Sequence, residues 1–180
     1  MKKSSVLIVL IFAASLLVTN DVNAQTTNPN PWRLGIGVEA GVPVGTVPNN
    51  SGFELGGTLR LQYDVTNNFA LTLTTGYYNL FAAGDKVLFN PGGGRTYLTS
   101  FGIVPLKAGI KAFFAKDVYF GAEAGVGFET KSGGTTQLLL SPALGNANKT
   151  WDASLRYENF SAQGYGFGLF GLRVAYAFKL

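Results

Sequence analysis

Six residues near the C-terminal end, Gly166-Phe167-Gly168-Leu169-Phe170-Gly171, have the spacing of a dinucleotide-binding turn. Their context excludes that chemistry: they open a stretch of period-two alternation instead of a helix, and no acidic residue follows to take a ribose hydroxyl. Pro91-Gly92-Gly93-Gly94-Arg95 offers backbone N–H groups and a guanidinium to an anion, yet it lacks Gly-Lys-Ser/Thr ahead of a helix and reads as an exterior loop. The chain contains no histidine and no cysteine, so Ser–His and Cys–His nucleophiles, thiolate metal sites and disulfides are all excluded. What remains is carboxylate chemistry from Glu54, Glu129 and Glu158, which alternation directs to one face near the same end of their segments. Salt-bridged carboxylates in such positions far outnumber catalytic ones. The expected reading is a non-enzymatic protein without metal or cofactor.

These carboxylates sit on a chain of eight alternating segments: Trp32–Val44, Phe53–Val65, Phe69–Phe81, Phe101–Phe114, Val118–Phe128, Thr136–Leu144, Trp151–Glu158 and Phe170–Leu180. In the last of them Phe170, Leu172, Val174, Tyr176, Phe178 and Leu180 alternate with Gly171, Arg173, Ala175, Ala177 and Lys179. Period two means a strand with two different faces. The sixth segment is the least regular, because Leu138, Leu139 and Leu140 are consecutive and Pro142 interrupts. Connections after the second, fourth and sixth segments are short, and the others are mostly longer and richer in Gly, Ser and Asn, the rim pattern of a membrane barrel. No 3.6-residue apolar period survives beyond the N-terminal run, so no helix is expected there.

Charge decides which face is inside. The faces opposite the apolar ones carry equal numbers of basic residues (Arg33, Arg60, Lys107, Lys111, Arg156, Arg173, Lys179) and acidic ones (Glu39, Glu54, Asp64, Glu123, Glu129, Asp152, Glu158). The apolar faces carry none. A water-facing surface needs no such balance, whereas a narrow lumen does, because unpaired buried charge is costly. Strands of this length also suit a tilted crossing of the hydrocarbon layer. Aromatics such as Trp32, Phe53, Tyr63, Phe81, Phe128 and Trp151 gather near segment ends, as interface girdles do. The expected fold is all-β, an eight-stranded antiparallel up-and-down transmembrane β-barrel with its apolar face in lipid. A soluble, exported lipocalin-like ligand carrier is the alternative that turns the same faces the other way.

The N-terminus reads MKKSSVLIVLIFAASLLVTNDVNAQ: two lysines, an apolar core too short to span a bilayer as a helix, and a small-residue site at Ala24. Residues 1–24 are expected to be a cleaved signal peptide and residues 25–180 the barrel domain. Charged residues are 13% of the chain, apolar residues 47%, and the net charge of +4 contains no basic run, so nucleic acid is not an expected partner.

The stretches GIVPLKAGIKAFFAKDVYFGAEAGVGFET (Gly102–Thr130), WDASLRYENF (Trp151–Phe160), GLRVAYAFKL and GVEAGVPVG (Gly37–Gly45) resemble the outer-membrane-protein β-barrel family of OmpA/OmpX-like eight-stranded barrels. The resemblance covers Trp32–Leu180 and implies a Gram-negative outer-membrane location, with outer-membrane lipid and the barrel-assembly machinery as partners. It departs from the family's pattern at Leu180, which keeps the outward parity but is not aromatic. A structural or adhesive role implies contact through the exterior loops, where Asp85, Lys86 and Arg95 are the charged residues of the longest connection. A small porin-like channel for polar solutes is the alternative within the same fold.

The mid-height lumen is expected to hold a charge cluster of Glu39, Arg60, Lys107, Lys111, Glu123, Arg156 and Arg173. Pairing Phe114 with Val118 across the Ala115–Asp117 turn sets Glu123 opposite Gly109, between Lys107 and Lys111 on the same face. Closure between the first and last segments sets Glu39 against Arg173. Side chains reaching across the glycine-lined interior are expected to plug it.

Overall fold

The computed structural model describes residues 31–45, 51–82, 87–89, 95–97, 100–162 and 165–180. Segments of period-two alternation form strands because each has one face that must leave water and one that must find polar partners. The strands are β1 (Trp32–Val44), β2 (Ser51–Thr66), β3 (Phe69–Ala82), β4 (Val87–Phe89), β5 (Arg95–Tyr97), β6 (Phe101–Phe113), β7 (Val118–Glu129), β8 (Thr136–Ala147), β9 (Trp151–Ala162) and β10 (Tyr165–Lys179). Strands β1, β2, β3, β6, β7, β8, β9 and β10 close into an antiparallel barrel, and β10 returns to pair with β1. Among the described residues there is no helix.

Alternation failed to anticipate three features. β4 and β5, three residues each, form a separate two-stranded sheet inside the connection read as a plain loop. β8 continues through Pro142 to Ala147, at the cost of a gap in its ladder with β9 between the Leu140–Asn159 and Ala143–Arg156 pairs. β9 extends to Ala162 and β10 starts at Tyr165, so the last connection is short where a longer loop was expected.

The two faces carry opposite chemistry. Val38 is 65% exposed and Phe170 60%, whereas Lys107 and Arg173 are both 0% exposed. That inversion rules out the soluble carrier, whose lumen would be apolar and whose charges would face water. Aromatic pairs cover the outer wall at both rims: Trp32 with Tyr63 (4.8 Å) and Trp151 with Tyr176 (5.3 Å) at the short-turn end, Phe53 with Phe81 (4.5 Å) at the loop end.

Candidate functional site

The lumen is the only place where the fold concentrates polar chemistry among the described residues, and alternation builds it. Inward positions of β1, β2, β6, β7, β9 and β10 bring together equal numbers of buried acids (Glu39, Glu54, Glu123, Asp152, Glu158) and bases (Arg60, Lys107, Lys111, Arg156, Arg173). Glycines leave the space that long side chains cross. A Cβ at Gly145 would meet Tyr119 Cζ at 2.5 Å, and one at Gly56 would meet Tyr78 Cδ1 at 2.6 Å, so each tyrosine lies flat over a glycine of a neighbouring strand.

Glu123 is the hub. Its carboxylate accepts from Arg60 Nη2 (2.9 Å), Arg156 Nη2 (2.9 Å) and Thr74 Oγ1 (2.6 Å), with Lys107 Nζ at 3.7 Å. Towards the loops, Arg156 Nη1 donates to both oxygens of Glu39 at 2.7 Å, and Lys107 donates to Glu158 and to the Tyr78 hydroxyl (3.0 Å). Towards the short turns, Asp152 takes Lys111 Nζ at 2.5 Å, the Tyr119 hydroxyl at 2.7 Å, and Arg60 and Arg173 at 3.4 Å each. Between buried side chains such charge-assisted bonds are strong, and leaving one member alone is expensive.

All seven cluster residues read from the sequence line the lumen, and Glu123 does stand opposite Gly109. Their partners differ from the expected ones. Lys111 leaves Glu123 for Asp152, and Arg60 and Arg156 take its place. Glu39 is opposite Arg173 along the β1–β10 ladder, yet its carboxylate goes to Arg156, while Arg173 Nε donates to Thr58 Oγ1 at 2.9 Å. Long side chains reach across the lumen to facing strands, which ladder neighbours do not reveal. Asp152 and Tyr119 were missing from the expected cluster, although inward parity marks both. Glu158 is 0% exposed and bound to Lys107. Glu129 stays at the loop rim with Lys131 (3.1 Å) and Gln137 (2.6 Å). Asp85 and Lys86 lie outside the described residues, and Arg95 contributes backbone to the β4–β5 hairpin.

Above the charges the lumen changes character. Tyr78, Leu80, Phe101, Ile103, Leu139, Phe160, Phe167 and Leu169 form one buried apolar cluster across the loop half, with Phe160 and Phe167 stacked at 4.6 Å. Below the charges, a cavity of about 220 Å³ opens at the short-turn end, reaching Lys111 and Asp152 and rimmed by Arg33, Asp64, Lys116 and Lys149. Cations hold Glu39, Glu123, Asp152 and Glu158, whereas both carboxylate oxygens of Glu54 are buried with no hydrogen-bond partner among the described residues. Among the described residues no group of three His, Cys, Asp or Glu side chains is placed to hold a metal ion.

No sequence-family model matches the chain, and no curated protein matches it. Solved structures do. The crystal structure of Ail, the attachment invasion locus protein of Yersinia pestis, superposes with a TM-score of 0.57 at 14% identity over 83% of this chain and 99% of that one. The N-terminal β-barrel domain of Pseudomonas aeruginosa OprF gives 0.56 at 14% identity over 81% and 97%. Neisserial surface protein A gives 0.52 at 13% identity over 83% and 97%. At this identity the likeness is one of fold, and together with the closed strand order and the outward apolar face it makes the chain an eight-stranded transmembrane β-barrel of the architecture these proteins share.

Proposed function

We propose that the protein is a non-enzymatic barrel of a bacterial outer membrane, exported with residues 1–24 as its signal peptide, whose closed lumen serves stability and whose loops make contact outside the cell. The single observation that carries this reading is the buried apolar cluster that crosses the loop half of the lumen above the charge network. A solute path needs continuous polar lining, and here it ends against Phe160, Phe167 and Leu139. The likeness to Ail, an attachment invasion locus protein, supports outward contact. The barrel-assembly machinery is the expected partner of strand β10, which ends in Phe178-Lys179 and is followed by Leu180.

Two measurements test it. The purified barrel in planar bilayers should show no steady unit conductance; a reproducible step overturns the sealed lumen in favour of a small channel. Cells displaying the barrel should be retained on other cells or on a coated surface better than cells displaying it without residues 84–95. Equal retention, with both forms still heat-modifiable on a denaturing gel, overturns the adhesive part.

A further inference from the structure

The carboxyl groups of the lumen are not alike. Glu39, Glu123, Asp152 and Glu158 each accept from a cation, whereas Glu54 is 1% exposed and neither of its oxygens has a hydrogen-bond partner among the described residues. A Cβ at Gly56 would meet Glu54 Oε1 at 2.7 Å and one at Gly41 would meet Oε2 at 3.1 Å, so the carboxyl group lies against bare backbone of β2 and β1. Tyr78 Cδ1 and Leu169 Cδ2 lie 2.6 Å from those same Gly56 and Gly41 positions, which places the carboxyl beside two members of the apolar cluster.

The charged groups facing Glu54 are Glu39 on β1, Lys107 on β6, and Arg156 and Glu158 on β9. β3 adds the Tyr78 phenol, and β10 presents the uncharged Leu169. Both cations are already engaged. Lys107 Nζ has Glu158, the Tyr78 hydroxyl at 3.0 Å and Glu123 at 3.7 Å. Arg156 gives Nη1 to Glu39 and Nη2 to Glu123, and its remaining nitrogen, Nε, bonds neither oxygen of Glu54. An ionised Glu54 would be a third carboxylate against two cations, buried and unbonded, a state whose cost proteins avoid by keeping the group neutral. A neutral Glu54 leaves one cation in excess on the short-turn side, where Arg60, Lys111 and Arg173 face Glu123 and Asp152. That excess lies beside the cavity of about 220 Å³, which reaches Lys111 from the rim.

We propose that Glu54 is held as the neutral carboxylic acid and serves as the proton switch of the lumen. With the proton in place, the carboxyl packs as an uncharged group beside Leu169 and Tyr78, and the loop half stays closed. When the proton leaves to solvent, three carboxylates face Lys107 and Arg156, and water must enter to solvate the one they cannot hold, at the border of the apolar cluster. The inference concerns the lumen and is independent of what the loops contact.

Infrared spectra in an ester-free detergent at neutral pH should contain the carbonyl stretch of a buried protonated carboxyl group, absent in Glu54→Gln. The amide is the uncharged analogue of the acid, so this variant should keep or raise the urea midpoint at neutral pH, whereas Glu158→Gln, which strips Lys107 of its carboxylate, should lower it. The proton fixes the sign of the pH dependence. The folded chain holds it and an unfolded glutamate releases it above about pH 4.3, so wild type should lose stability relative to Glu54→Gln as the pH rises from about 5 to about 8. Conducting events in planar bilayers should become more frequent over the alkaline range in wild type and stay level in Glu54→Gln. Steady conductance already present at neutral pH counts against the closed lumen and not against the proton on Glu54, which the infrared band reads by itself. A missing band, a midpoint for Glu54→Gln as low as that for Glu158→Gln, or a difference between wild type and Glu54→Gln that does not change with pH overturns the neutral acid. Event frequencies that respond to pH alike in both proteins overturn the switch.

Discussion

The two ends of the lumen solve the same problem, an interior too narrow for bulk water, in opposite ways. The loop half is filled with Leu80, Phe101, Ile103, Leu139, Phe160, Phe167 and Leu169 and behaves as a soluble protein's core. The short-turn half stays polar, with Gln62, Lys111, Tyr119 and Asp152 in one hydrogen-bonded chain and a cavity reaching Gln62, Lys111 and Asp152 from the rim. Between them Glu123 and Arg156 join both halves. Apolar packing needs no partner and tolerates the complete exclusion of water, whereas the polar half must satisfy every donor or be reached by solvent. The two halves of the lumen therefore follow different rules, and substitutions should report which regime each residue belongs to.

The largest effect is expected at the junction. Arg156→Gln strips the bidentate partner from Glu39 and one of the guanidinium contacts from Glu123, leaving buried carboxylates uncompensated. A destabilisation of about 3–5 kcal/mol follows, read as a lowered urea midpoint in a fixed detergent. A midpoint within error of wild type would show that water reaches Glu39 and that the boundary between the halves lies nearer the loops.

Next comes the apolar half. Leu139 is 0% exposed, so Leu139→Ala deletes core volume and should cost about 2–4 kcal/mol by the same measurement. Its second readout separates the halves: loss of apolar packing should raise the frequency of conducting events in bilayers, which a change on the polar side should not.

How much of this contrast is legible in the chain follows from its periodicity. Strand identity, closure and outward polarity come from alternation, because a one-residue slip would put every charge in lipid. β1 is the clearest instance, observed as Trp32–Val44, the bounds its alternation marks. The apolar cluster of the loop half is not legible in the chain. Leu138-Leu139-Leu140 offers leucines to both faces, and Phe167, Leu169 and Phe170 follow one another closely enough that inward and outward members cannot be told apart by type. Alternation distinguishes apolar from polar; it is silent where both faces are apolar. Partner choice in the charge network was equally hidden. Ladder register fixes which backbones are neighbours, while Arg60 on β2 reaches Glu123 on β7 and Asp152 on β9 across the lumen, distances that depend on barrel diameter and on the glycines under the crossing side chains.

A smaller effect belongs inside the polar half. Tyr119→Phe removes one donor to Asp152 but leaves Lys111 at 2.5 Å and the ring beneath the ammonium, whose Nζ lies 4.4 Å from the ring centroid. A loss of about 1–2 kcal/mol is expected, because the carboxylate keeps its cations. A cost as large as that of Arg156→Gln would mean that the hydroxyl, and not the lysine, holds Asp152 in place.

The smallest effect is expected at the open mouth, where the contrast becomes a question about solvent. Arg33 Nε lies 3.1 Å from Asp64, with side chains 17% and 15% exposed, and Arg33 Nη1 also donates to the Asn148 carbonyl at 3.2 Å. Asp64 keeps a second partner in Gln62 Nε2 at 2.6 Å, so removing the arginine does not orphan it. A double-mutant cycle with Arg33→Gln and Asp64→Asn should give a coupling of only about 0.2–1 kcal/mol. Raising the salt concentration to about 1 M should shrink it further, since screening acts over roughly 3 Å at that ionic strength. The same cycle on Arg156 and Glu39, both shielded from solvent, should give a larger coupling that salt barely changes. If the two couplings were alike in size and in salt response, the mouth would be as dry as the middle. The cavity of about 220 Å³ beneath it would then be closed to solvent.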